Sequence, residues 1–171
     1  LVDPLGFQYA PKTVTLRRAR LLLKLGVGDA LVTGRTRTFA QTMREVRQVL
    51  EPQEGHLPFG IHLMIGKNYT VFLADTTVNE RPSAAELAVI AKETAAVARR
   101  LGHEPRVAFL SYSTFGNPPG ERMAKVRDAV ALLDAKGDAG FEYDGEMAVD
   151  VALNPEARRL YPFCRLTGAA N

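Results

Sequence analysis

The chain has 171 residues, a net charge of +3, 46% apolar residues and 24% charged ones, the balance of a soluble globular domain. That length holds one ordinary domain, and the composition excludes a disordered tail, a collagen-like fibre and a membrane-embedded protein, since no apolar run approaches the ~18 residues of a membrane span. The single cysteine, Cys164, rules out an internal disulfide, and with no signal-peptide pattern at the start a cytoplasmic setting is expected. The first residue is Leu1 rather than Met, which suits a piece of a longer polypeptide.

The charge is uneven. Residues 1–50 hold nine Lys/Arg against three Asp/Glu, whereas residues 101–171 hold eight against ten. A basic first third draws anions such as phosphates or nucleotides, or is simply a solvated helix face.

The first dozen residues read as irregular. Residues 13–25 are basic and apolar in helical spacing, and Gly26 is placed to end that helix. DALVTG (29–34) suits a short buried strand. Phe39, Met43, Val46 and Leu50 then return to helical spacing. FGIHLMI and YTVFLAD flank the turn GKN, a hairpin signal. Ser83 followed by Glu86 is a capping box, and the alanine-rich helix it opens runs to Arg99, Arg100 and Gly102. RVAFLSYS (106–113) is a buried-strand pattern. A Gly/Pro loop leads to a helix near 121–136, FEYDGE (141–146) reads as a strand with a turn at its end, and short helical pieces precede a last strand, FCRLTG. Strands alternating with helices predict an α/β layered fold with a largely parallel sheet, and the hairpin adds an antiparallel pair.

Ligands of open α/β sheets bind beyond the carboxyl ends of the strands, which selects three loops. In the first, Thr33, Gly34, Thr36, Arg37 and Thr38 precede a helix whose N-terminal N–H groups and dipole favour a phosphate. Arg44, farther along that helix, is placed to face the same cleft. The alternative is an ordinary N-cap, Thr38, with exposed arginines. In the second loop Ser111, Ser113, Thr114 and Gly116 offer hydroxyls to an acyl oxygen, a phosphate or a sugar, or else bond their own backbone. Their spacing is not that of a nucleophile elbow. In the third, Asp144 and Glu146 bracket Gly145, able to bind a cation, orient a hydroxyl or act as acid and base, or to form a tight charged turn.

His56, His62 and His103 are scattered with no ligand spacing, so no metal site is expected. Cys164 lies in an apolar stretch and reads as a structural thiol. Neither a phosphate-loop motif nor a dinucleotide fingerprint is present. Without Trp or an aromatic stacking platform, nucleic-acid binding is not expected.

VAFLSYSTFGNPPGERMAKVRDAVALLD, FEYDGEMAVDVALN and YPFCRLTGAAN resemble the phosphate acetyl/butyryltransferase family, above all the C-terminal phosphotransacetylase-like domain of bacterial NADP-dependent malic enzymes. ALVTGRTRTFAQTMREVRQVL and TVFLADTTVNERPSAAELAVIA fit the same domain, so the resemblance covers residues 29–171 and leaves 1–28 as an unassigned N-terminal segment. It implies a three-layer α/β/α fold of the isocitrate dehydrogenase-like group, here an incomplete one, and a homo-oligomer, dimer or higher. In the transferases an acetyl group moves between coenzyme A and phosphate. In malic enzymes the related domain is thought to bind acetyl-CoA as a regulatory ligand, while NADP and a divalent metal belong to other domains.

Carried over residue by residue, Arg44 falls where the transferases hold acetyl phosphate if Thr33-Gly34 matches their Ser-Gly, and Arg37 stands where they have histidine. The Ser-Arg pair and aspartate that they use lie beyond the G-x-A-N motif that Gly168–Asn171 matches, so no catalytic residue is expected in residues 1–171. The leading expectation is an acetyl-CoA-binding regulatory and oligomerisation domain of an NADP-dependent malic enzyme. The alternative is phosphate acetyl transfer, and a third reading is a dimerisation domain with a relict cleft. The first requires Arg44 and Ser113 to share one cleft.

Overall fold

In the computed structural model, which describes residues 21–32, 37–137 and 139–171, the chain divides at His56/Leu57 into two units. In the first, residues 21–24 are helical and Gly26 ends the helix at φ 72°. Its N–H reaches Leu23 O at 3.0 Å and that of Val27 reaches Leu22 O at 2.9 Å, the paired bonds of a Schellman motif that only a positive φ permits without cost. Helix α1 spans Phe39–Arg47 and is opened by Thr38 and Gln41 in a reciprocal capping box. The strand expected at 29–34 is corrected where it can be seen. Residues 29–32 are irregular and Val32 stands exposed, so apolar character alone did not supply a neighbour for the backbone to pair with.

The second unit opens with the predicted hairpin. Strands β1 (Ile61–Ile65) and β2 (Thr70–Ala74) pair antiparallel. The loop after β2 is held by Asp75, whose Oδ1 accepts from the N–H groups of Gly60, Thr77 and Val78 at 2.9, 3.2 and 3.2 Å, and whose Oδ2 accepts from Asn79 N at 2.7 Å. Partial burial opposes the charge, but these backbone donors outweigh it and hold the carboxyl below the usual aspartate range. A depressed folded-state pKa stabilises above the unfolded value near ~4 and ceases to do so as pH falls through the folded one. Asp75→Asn is expected to cost about 2 kcal/mol at pH 7. Urea titrations of both proteins from pH 7 to pH 3 should show that gap narrowing on the acid side.

Helix α2 (Ala84–Arg100) begins at the expected capping box, with Ser83 N donating to Glu86 at 2.7 Å and Glu86 N donating to Ser83 Oγ at 3.2 Å. It is followed by β3 (Arg106–Leu110), α3 (Glu121–Ala135), β4 (Glu142–Met147), α4 (Val149–Leu153) and α5 (Pro155–Arg158). β3 and β4 run parallel, joined by α3 as in a βαβ unit. Alternation along β3 assigns its side chains to two faces. Phe109 packs with Ala88 and Ala91 of α2 and Ala129, Val130 and Leu133 of α3, while Ala108 packs with Met147, Val151, Ala152 and Leu166. The small residues of α2 let it lie close to the sheet. Helices thus cover both faces of the parallel pair, the layering expected of an α/β/α fold.

Two expectations at the C-terminal end are corrected. FEYDGE does not turn at Asp144-Gly145-Glu146, because the strand runs on to Met147 with a register shift opposite Phe109/Leu110. FCRLTG forms no strand. Two of its N–H groups go to carboxylates of β4 instead, Arg165 N to Asp144 Oδ2 at 2.7 Å and Thr167 N to Glu142 Oε2 at 2.9 Å.

Candidate functional site

β3 and β4 end side by side, and the loop that leaves β3 folds over that end. Of the twelve candidate residues, five meet here: Ser111, Ser113, Thr114, Gly116 and Glu146. At their centre is Glu146, fully buried. Its Oε1 accepts from Ser113 Oγ at 2.8 Å, Gly116 N at 2.8 Å and Arg127 Nη1 at 3.0 Å. Among the described residues its Oε2 is buried without a hydrogen-bond partner. Burial pushes the carboxyl up, yet the Ser113, Gly116 and Arg127 donors together hold it below the usual glutamate range.

The hydroxyls of this loop are engaged internally. Ser111 Oγ accepts from Ser113 N at 3.1 Å and also touches Met123 Sδ, and Thr114 Oγ1 accepts from Ala148 N at 3.0 Å. The strand ends at Leu110, so Ser111 and Ser113 do not project from one strand face. Ser111 makes the local turn that such clusters favour. Thr114 and Asn117 close the loop with reciprocal backbone bonds of 2.9 and 3.1 Å. Phe115 sits between them at φ 47°, an uncommon conformation for a bulky residue, anchored by its N–H on Glu146 O at 2.8 Å and by ring contacts with Tyr161 and Phe163. A backbone outlier held by its surroundings is the kind of feature that gathers at functional loops.

Asp144 serves a different cluster. It is buried and binds Arg165 through the backbone N–H at 2.7 Å and through Nη2 at 3.3 Å. Arg165 also bridges to Asp134 at 2.7 Å and lies over the Tyr143 ring at 4.9 Å. The two carboxylates flanking Gly145 are therefore each spent on a separate arginine. Among the described residues, no three His, Cys, Asp or Glu side chains come together as metal ligands. Cys164 is half-buried, and burial pushes its thiol up.

The remaining candidates belong to the first unit. Thr33, Gly34 and Thr36 lie outside the described residues. Thr38 is the α1 cap, Arg37 pairs with Glu45 at 2.6 Å, and Arg44 is exposed in the last turn of α1. Arg44 and Ser113 fall in different units. Sequence reasoning missed Arg127, Arg165 and Phe115. Arg127 lies 19 positions from Glu146 with no motif linking them, and only the mixed charge of α3 hinted that one of its basic residues had a buried partner.

The family profile described as phosphate acetyl/butaryl transferase matches residues 10–171. The NADP-dependent malic enzyme of Rhizobium meliloti (strain 1021) is 49% identical over 153 residues, which are 90% of this chain and 20% of that protein. The phosphate acetyltransferase of Paracoccus denitrificans is 37% identical over 165 residues, 91% of this chain and 52% of that one. A phosphotransacetylase crystal structure from Streptococcus pyogenes superposes with a TM-score of 0.77 at 31% identity, covering 91% of this chain and 48% of its own. The chain thus spans about a fifth of that malic enzyme and about half of these two transferases.

Proposed function

Because the chain belongs to the phosphate acetyl/butaryl transferase family, we propose that it forms part of the phosphotransacetylase-like domain of an NADP-dependent malic enzyme and binds acetyl-CoA as a regulatory ligand. One observation carries this reading. The malic-enzyme match of 49% identity covers 90% of the chain within only 20% of the relative's length, the signature of one domain in a longer enzyme. In the first unit the exposed Arg44 is the candidate for phosphate contacts, and in the second unit the Ser111–Gly116 loop, braced by Glu146, is a candidate for acyl contacts. Malate chemistry, NADP and the metal ion belong elsewhere in the whole enzyme, and the domain contributes to homo-oligomer assembly. Acetyl-CoA regulates by binding one global state better than another, so its affinity and that of malate are linked, typically by ~5–150-fold.

The test is calorimetric titration of acetyl-CoA into the full-length protein, with and without saturating malate. Binding that changes by tenfold or so with malate supports the proposal, and absence of binding overturns it. Arg44→Ala is expected to weaken acetyl-CoA about 10- to 100-fold, the value of a charge-assisted phosphate contact of ~1.5–3 kcal/mol, while leaving the thermal midpoint unchanged because the side chain is exposed.

A second reading, acetyl transfer between coenzyme A and phosphate, draws on the 37% identity to a phosphate acetyltransferase. Acetyl phosphate formed from acetyl-CoA and phosphate, and lost in Arg44→Ala, would favour it over the first.

A further inference from the structure

Open α/β sheets take ligands at the carboxyl ends of their strands, yet the loop folded over the ends of β3 and β4 has few donors left for one. The N–H of Ser113 goes to Ser111 Oγ, those of Thr114 and Asn117 go to each other's carbonyls, and those of Phe115 and Gly116 go to Glu146. Pro118 and Pro119 follow and have no N–H to give. An anion at this strand end therefore takes its donors from a side chain.

Arg127 is placed to supply them. It lies four positions after Met123 on α3, so the two sit one above the other on one face of the helix, and Met123 Sδ touches Ser111 Oγ. The Arg127 side chain is 43% exposed, and its Nη1 donates to Oε1 of the fully buried Glu146 at 3.0 Å. Among the described residues that is the only hydrogen bond its side chain makes. Whichever Nη1 hydrogen Glu146 takes, the Nε–Nη2 edge keeps its donors, and that edge matches two oxygens of an oxyanion. Arg165 also ends on a buried carboxylate, but it gives Nη2 to Asp144 and Nη1 to Asp134. Arg37, Arg99 and Arg159 pair with carboxylates that are open to water. Arg127 is thus fixed at one nitrogen by a buried partner and open to solvent along its other edge. Such a side chain loses little rotamer freedom when a ligand arrives.

The surroundings favour one class of oxyanion. Long side chains on a helix lean toward its N-terminus, and α3 begins at Gly120 with no side-chain cap. The guanidinium therefore lies toward an end with positive partial charge and open N–H groups. A carboxylate spends both oxygens on the guanidinium edge, whereas a phosphoryl group has a further oxygen for the helix end.

We propose that Arg127, held by Glu146, is an oxyanion hook of the second unit and grips a phosphoryl group through its Nε–Nη2 edge. The group belongs to a free phosphate ion or to a nucleotide ligand. The hook stands on the geometry of this unit alone, and only its assignment to acetyl-CoA rests on the regulatory reading.

Calorimetric titrations of the full-length protein with inorganic phosphate and, separately, with acetyl-CoA decide it, using wild type, Arg127→Gln and Arg127→Lys. Both variants are expected to keep a thermal midpoint close to that of wild type, because a half-exposed ion pair contributes little. Affinity is expected to fall about 10- to 100-fold in Arg127→Gln, and at least about tenfold in Arg127→Lys, which keeps the charge and loses the fork. A loss confined to phosphate assigns the hook to the free ion, and a loss for acetyl-CoA assigns it to the nucleotide. Ligands that bind all three proteins alike overturn the proposal, as does a lysine variant equal to wild type or a wild type that takes up neither ligand. If acetyl-CoA fails to bind the wild type while phosphate shows the loss, the regulatory reading falls and the hook stands.

Discussion

Gly145→Ala is expected to destabilise the protein by about 3–5 kcal/mol, combining ~1–3 for backbone strain with ~1–3 for overpacking. An added Cβ would stand 2.7 Å from Phe109 O and 2.8 Å from Phe109 Cβ. The clash is with backbone and with a buried ring stem, neither of which can swing aside. Gly145 also has φ 148°, a conformation side chains avoid. It lies where the β3–β4 register shifts, so relief by sliding the strand would pull Glu146 off Ser113 and Gly116. Against a total stability of ~5–15 kcal/mol, such a loss lowers the urea midpoint of the protein severely. A loss below ~1 kcal/mol would mean that the close approach of β3 to β4 at this point is not maintained in solution.

The elements that were legible in the sequence are those whose signals are local. Ser83 with Glu86, Thr38 as the alternative N-cap, and Gly26 each sit within four residues of the backbone groups they satisfy. The hairpin was legible because its turn lies between two apolar runs. The end of β4 was not, because Gly145 resembles a turn residue in composition and its reason for being glycine is Phe109, 36 positions earlier. FCRLTG reads as a strand by its apolar residues, yet Asp144 and Glu142 capture the N–H groups that a ladder would need, and side chains on another strand cannot be read from the segment itself.

The candidate site divides in the same way. Strand ends and hydroxyl-rich loops picked out Ser111, Ser113, Thr114, Gly116 and Glu146 by type, and the fold does bring these five together. Their connections were not legible. Ser113 and Thr114 direct their hydroxyls inward, to Glu146 and to Ala148 N, so they set the shape of the loop. Asp144, two residues from Glu146, was grouped with it by spacing alone and belongs to the Arg165 cluster.

Glu146→Ala is expected to cost about 3–4 kcal/mol, because it leaves the Ser113 hydroxyl and the Gly116 N–H without an acceptor, each worth ~1–3 kcal/mol when buried, and opens a cavity beneath the loop. Arg127 adds little to that figure, since its guanidinium is 43% exposed and water replaces the lost partner. Glu146→Gln separates the charge from the acceptor. Its amide oxygen still serves Ser113 and Gly116, so the loss should fall to about 1–2 kcal/mol, the charged share of the bonds. The sign with pH follows from the lowered carboxyl. The wild-type advantage over Glu146→Gln is complete above the unfolded value near ~4.3 and disappears as pH falls through the lower folded value. Urea titrations of the three proteins at pH 7 and pH 3 measure this directly. Equal losses for alanine and glutamine at pH 7, or an advantage over glutamine that does not shrink between pH 7 and pH 3, would show that the Glu146 carboxylate does not brace the loop.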